Sequence, residues 1–435
     1  MLRASRGALL LPPAVRTMRR LRLSTTPVFE PMNPVAERYV KLLLALGRHD
    51  PDMVDAYHGP PAWASEAETA AQPLADIERE AAALLGGIGA APAGVEEILR
   101  LRREYLRKQV SALSARCRML RGERFRFDEE SAALYDAVAP AGTEAHYRTL
   151  VAALDPMLPG AGPIPPRYEA YRAAFVIPPG RLDAVFSAAI QECRRRTLRY
   201  IPLPSGERFT VEYVTNKPWS GYNWFKGGAF SLIQMNTDLP IHIDRAVDLA
   251  AHEGYPGHHV YNALLEEKLL KGRGWVEFSI YALFSPQSLV AEGTANYGIE
   301  MAFPAGERVA YEREVLFPLA GLDPATADGY YRAQELAAQL AYAGNEAARG
   351  YLDGAMTKEE AVQWLVDYAL MARDRAEQRI RFFEKYRSYV INYNLGKDLV
   401  RDYVERNGGV PSDPPRRWAI FRDLISSPRL PSGLR

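Results

Sequence analysis

The chain has 435 residues, long enough for one large core or for two to three domains of ordinary size. Its 48% hydrophobic and 25% charged residues are the balance of an ordinary globular protein, which excludes disordered and fibrous classes. A formal net charge of +1 offers no general attraction to polyanions, so no nucleic-acid partner is expected, and two cysteines exclude a disulfide scaffold or a cysteine-rich zinc site.

Residues 1–31 carry six arginines and no acid before Glu30. That composition fits either a mitochondrial targeting segment or a non-native leader ahead of Met32. The expected location is cytoplasmic, or mitochondrial or exported if the leader is a working signal. No run of about 18 apolar residues occurs, so no membrane span is expected.

From Asn33 the segments "NPVAERYVKLLLAL", "PLADIEREAAALLGGI" and "VEEILRLRREYLRKQVSALSARCRMLRG" space apolar residues by three and four, and 32–153 reads as an N-terminal helical region. Pro and Gly crowd 154–171, which reads as a long connection and a boundary. "PPGRLDAVFSAAIQECRRRTLRYI" returns to helix. "ERFTVEYVTN" alternates with period two and predicts a strand, and 229–236 ("AFSLIQMN") predicts a second. Together they suggest a small antiparallel sheet, and the second strand reads equally as an edge on which an extended peptide could pair or as a core strand. Helix then continues to the end, so the expected fold is mostly α (α+β), a large helical protein with a small sheet beside a histidine cluster.

That cluster is "DLAAHEGYPGHHVYN", with three of the seven histidines inside eight residues. The usual helical zinc motif, His-Glu-x-x-His, sets two imidazoles one turn apart with the Glu as general base. His252 and Glu253 fit that pattern, but Pro256 stands where the second histidine belongs. His258 lies six residues on, about 9 Å along a straight helix, too far for one shared ion. Pro256 cannot bond back to the His252 carbonyl, and Gly257 is free to take positive φ, so a bulged turn could return His258 beneath His252. Either His258 or His259 could be the second ligand; His258 is preferred because it directly follows Gly257. The third ligand is expected from a separate helix, and "SLVAEGTANYGIE" offers Glu292. Asp248 and Asn296, each one turn from a ligand, are candidates to orient the ligands. Ligands of this kind in four-coordination favour zinc.

The strings "HEGYPGHH", "AEGTANYGIE" and "YNLGKDLV" together resemble a large, mainly bacterial family catalogued as domain of unknown function 885. That family is similar to the two-His-one-Glu zinc peptidases called gluzincins, and the resemblance covers about 168–399. It implies that 171–435 is a zincin-like catalytic region, that His252, His258 and Glu292 hold zinc, and that Glu253 takes the proton of an attacking water. Members without a histidine at the last position of the first motif agree with His258 as ligand. This chain departs from the family in "EGTAN", where an aromatic more often follows the glycine, a difference that bears on the substrate pocket. Tyr393 in "INYNLGK" is a candidate donor to the oxyanion.

The expected function is a zinc metallopeptidase that cleaves oligopeptides. The alternatives are a metal-dependent amide or ester hydrolase acting on small non-peptide molecules, and a non-catalytic binding protein that kept the fold. The intact Glu253 argues against the last. No Walker loop, dinucleotide fingerprint or nucleophile elbow is present, and no oligomeric state is implied.

Overall fold

The computed structural model describes residues 31–217, 219–304 and 306–435. The 1–31 leader therefore lies, apart from Pro31, outside the described residues. Helices dominate, as the three-and-four spacing requires. Asn33–Gly47 starts with Pro34 in its first turn, where a missing N–H costs nothing, and buries Tyr39, Val40 and Leu43. Glu97–Leu120 buries Tyr105, Leu106, Val110 and Leu113 along one stripe. No helix among the described residues is long and apolar enough to cross a membrane.

The 154–171 connection is partly helical. A 3₁₀ turn, Asp155–Met157, is followed by the helix Ile164–Ala173, whose two prolines both fall in its first turn, where they begin a helix rather than break one. Helices on both sides of this connection share one core, in which Leu43, Leu113, Val185, Leu289 and Val400 all take part. Met32–Arg435 is accordingly one compact unit. Side chains tie its early and late parts together. Tyr105 donates to Gln287 Oε1 at 2.7 Å, and the fully buried Arg102 and Glu277 pair at 2.6 Å.

The expected small sheet is present, with strands β2 (Arg208–Val214), β3 (Gly221–Gly227) and β4 (Phe230–Asn236) in the order β2-β4-β3. Only one of its pairings is antiparallel. The β3–β4 hairpin turns at Gly227 and Gly228, both with positive φ, and β4 then lies between β3 and β2 and runs parallel to β2. The alternation within a strand does not encode this, because the neighbour of β2 is chosen by the excursion through β3. Consequently β4 is the central strand and has no free edge for a peptide, which leaves the core-strand reading of 229–236; of the two outer strands, β3 is the one whose Gly221 and Asn223 approach Glu253. A second pair, β1 (Val54–Tyr57) with β5 (Ile280–Ala282), is antiparallel and bulges between Val54 and Ala56.

Candidate metal centre

The break in the histidine motif is built from backbone. After the helix Asp244–Leu249 the chain widens into a π-turn, Ala250–Gly254, closed by Tyr255 N–H donating to Ala250 O at 3.1 Å. Tyr255 is extended, as the residue before a proline prefers, and the Tyr255–Pro256 peptide is cis. Helix resumes at His258–Leu265. The turn brings the two rings together, with His252 Nε2 3.1 Å from His258 Nε2. Gly257 serves this turn differently from the expectation, because its φ is −75°. What it supplies is space: a Cβ there would lie 1.9 Å from the His252 carbonyl oxygen and 2.4 Å from that of Ala251.

Glu292 arrives on the helix Pro286–Ala302, nearly all of which is buried. Its Oε2 lies 3.3 Å from His252 Nε2, and its Oε1 lies 3.8 Å from His258 Nε2. The position of this helix depends on two glycines. A Cβ on Gly293 would come within 2.4 Å of Gly396 backbone, and one on Gly396 within 2.7 Å of the Leu289 carbonyl oxygen. The helix Ile391–Arg406 can therefore lie directly on the Glu292 helix. These are the glycines of "AEGTAN" and "YNLGK".

His252, His258 and Glu292 form a group able to hold a metal ion, each offering one ligand atom, all within 4.8 Å of one another. Atoms bound about 2.0–2.1 Å from one tetrahedral zinc stand about 3.3–3.4 Å apart, so the closest separations suit such an ion. Glu292 Oε2 is buried and makes no well-formed hydrogen bond, the kind of orphaned acceptor that a cation satisfies. Burial disfavours the Glu292 carboxylate, yet the two imidazoles outweigh it and hold the group well below the usual carboxylate range. Burial likewise opposes charge on His258, but Glu292 overcomes this and raises its pKa.

Glu253 is buried beside the group, with Oε1 4.0 Å from His252 Nε2. Gly221 of β3 leaves room for it, since a Cβ there would meet Glu253 Oε1 at 3.0 Å. Asn223 of the same strand donates to the Glu253 carbonyl at 2.7 Å, tying sheet to π-turn. Tyr393 lines the same cleft, its ring 5.8 Å from that of Tyr389. Burial first, and then the nearby Glu292, keep the Tyr393 phenol protonated far above neutral pH.

Three neighbours stand apart from the metal group. His259, the alternative second ligand, is not part of it; it is fully buried, held by Ser231 Oγ at 2.9 Å and by Glu207 Oε2 at 3.1 Å. Asp248 is taken by Arg245 at 3.0 Å and Arg308 at 2.9 Å. Asn296 donates to the backbone carbonyls of Glu292 at 3.1 Å and Tyr393 at 3.2 Å, so it joins two helices instead of aiming a ligand side chain.

Two further residues reach the site from a distance. Tyr389 donates to Glu292 Oε1 at 2.8 Å. Asp55 is the bulged residue of β1, and a bulge re-aims its side chain, here into the cleft where it accepts from Tyr222. Burial raises the Asp55 pKa to about 7, with Glu292 and Asp52 adding to the shift and His258 opposing it. All of these groups line one cleft of about 1930 Å³.

No family profile and no curated protein matches the chain. Among solved structures it is similar to a candidate lipoprotein of Colwellia psychrerythraea, at 14% identity over 83% of this chain and 71% of that one, with a TM-score of 0.47. It is also similar to a candidate lipoprotein of unknown function from Shewanella oneidensis, at 14% identity over 93% of this chain and 80% of that one, with a TM-score of 0.39.

Proposed function

We propose that the chain is a zinc-dependent peptidase that cleaves oligopeptides. The observation that carries this reading is the convergence of His252, His258 and Glu292 with Glu253 alongside, in the wall of a large cleft. It agrees with the gluzincin resemblance of the motifs. A zinc ion held by the three side chains supplies a Lewis acid and lowers the pKa of water towards about 7.

The residues divide the remaining work. Glu253 accepts the proton of the attacking water and passes it to the leaving amine. Tyr393, kept protonated by its surroundings, donates a hydrogen bond to the carbonyl oxygen as charge develops there. Tyr389 fixes Glu292 in its ligating position. A cleft of about 1930 Å³ exceeds the roughly 300–1,000 Å³ of small-molecule pockets, which favours a peptide of several residues. The outer strand β3 offers backbone to align such a peptide beside Glu253.

The test combines elemental analysis with turnover of a peptide library. About one zinc per chain is expected, lost in His252→Ala and in His258→Ala. Glu253→Gln should keep the metal and lose about 10²–10⁴ of the turnover rate. Full turnover by that variant sinks the role given to Glu253. A parent chain that takes up no zinc sinks the whole reading.

A further inference from the structure

The wall of the cleft near Tyr393 carries an arginine with no carboxylate partner among the described residues. Arg379 lies in the helix Arg373–Tyr386 and lines the cleft. Its guanidinium packs on rings, 4.5 Å from the centroid of Phe382 and 5.8 Å from that of Tyr393. Its Nε is buried without a hydrogen-bond acceptor. Among the described residues no carboxylate pairs with it, although most arginines of this chain have one. Burial lowers its pKa, and the Tyr393 phenol is the group that opposes the shift. One turn earlier Arg375 also lines the cleft, and among the described residues its guanidinium bonds only to the Pro240 carbonyl, at 3.3 Å.

Holding a half-buried cation away from any anion of the described residues is unfavourable, so a folded chain that keeps one in a cleft holds binding capacity for an anion from outside. A guanidinium backed by aromatic faces presents its planar fork to a carboxylate in two-point geometry. A run of contacts links Arg379 to the candidate metal group. Glu292 is bonded to Tyr389, whose ring neighbours that of Tyr393, and Arg379 lies 5.8 Å from the Tyr393 centroid. The phenol of Tyr393 lies within electrostatic range of Glu292 and Glu253 and also of Arg379. A carboxylate on Arg379 would thus share the surroundings of Tyr393 with a bond attacked beside Glu253.

We propose that Arg379 binds the free C-terminal α-carboxylate of a short peptide and thereby selects substrates cleaved near their C-terminus. Phe382 and Tyr393 around the arginine suit an apolar last side chain. The proposal rests on the peptidase reading for its substrate class, but its test reads binding, which requires no turnover.

The probes are acetyl-Ala-Ala-Phe and its C-terminal amide, titrated calorimetrically into the full chain carrying Glu253→Gln. The free acid should bind at least about tenfold more tightly than the amide, the scale of one charge-assisted contact. Arg379→Gln should abolish that preference with the helical circular dichroism unchanged. Arg379→Lys, which keeps the charge but not the fork, should retain part of it and serves if the glutamine variant does not fold. The preference should survive chelation, so the role of Arg379 is tested even on a chain that holds no metal or cleaves nothing. Equal binding of acid and amide, or no binding of either at millimolar concentration, overturns the proposal. So does loss of the preference on chelation, which would put the carboxylate on the metal. Equally tight binding of acetyl-Ala-Glu-Phe-amide would overturn it too, by showing an acidic side chain as the true ligand.

Discussion

Tyr389 and Glu292, 97 residues apart in sequence, meet in a hydrogen bond of 2.8 Å from the phenol to Oε1. Both are buried, and the bond leaves Oε2 free to face His252. Partners of this kind fix a ligand's orientation, and their loss typically weakens metal binding about 10–100-fold. Tyr389→Phe removes one oxygen and keeps the packing against Tyr135 and Tyr393. The expected outcome is a fall in zinc affinity of that size with thermal stability of the metal-free protein little changed, measured by competition with a chromogenic chelator. Unaltered affinity would show that Glu292 needs no such support.

The contact of Gly293 with Gly396 has a second consequence. A methyl group on either glycine meets opposing backbone, which cannot swing aside as a side chain can. Gly396→Ala should therefore push the Ile391–Arg406 helix off the Glu292 helix and cost about 1–3 kcal/mol, the scale of overpacking. Tyr389 immediately precedes the displaced helix, so zinc affinity should fall along with the denaturation midpoint. A variant that loses stability but binds zinc normally would separate the helix contact from the site.

The parts of the site legible in the sequence are those encoded locally. His252, Glu253 and His258 stand within seven residues, and the Pro-Gly break between them announces a departure from straight helix. Glu292 is visible as an acid in a run of small apolar residues. What is not legible depends on partners far along the chain. Asp55 enters through a bulge that exists only because β1 pairs with β5, more than 200 residues later. Tyr389 is one of 24 tyrosines, and nothing in its neighbours marks it. Strand β3 escapes the period-two pattern because glycines bound "GYNWFKG" and an asparagine interrupts its alternation; its three aromatics are the one signal for it. Asp248 and Asn296 have the right helical spacing, but Arg308 captures one and two backbone carbonyls the other.

His259 allows a test that separates adjacent histidines. It lies between the Ser231 hydroxyl and the Glu207 carboxylate, which also accepts from Tyr255 at 2.7 Å. His259→Ala should leave the zinc content unchanged, because the ring points into the sheet and away from Glu292. It should cost about 1–3 kcal/mol of stability by leaving Ser231 and part of Glu207 without partners. Elemental analysis and urea denaturation of the same preparation read both quantities. Loss of zinc with normal stability would reverse the assignment of His258 and His259.

His242 gives the fold a predictable response to acid. Burial lowers its pKa to about 4, helped by Arg172, Arg375 and Arg245 and opposed by Asp244. In the unfolded chain the ring titrates near its ordinary value of about 6.5. Between these values the unfolded chain holds a proton that the native protein does not, so native stability falls as pH drops from about 6.5 towards about 4. Solvent reaches part of the ring, which reduces the contribution to about 1–2 kcal/mol. The comparison is best made on chelator-treated protein, where metal release adds no slope of its own. Urea midpoints should fall between about pH 7 and about pH 5, and His242→Gln should flatten that fall. A variant whose midpoint declines as steeply as the parent's would place the acid sensitivity in other groups.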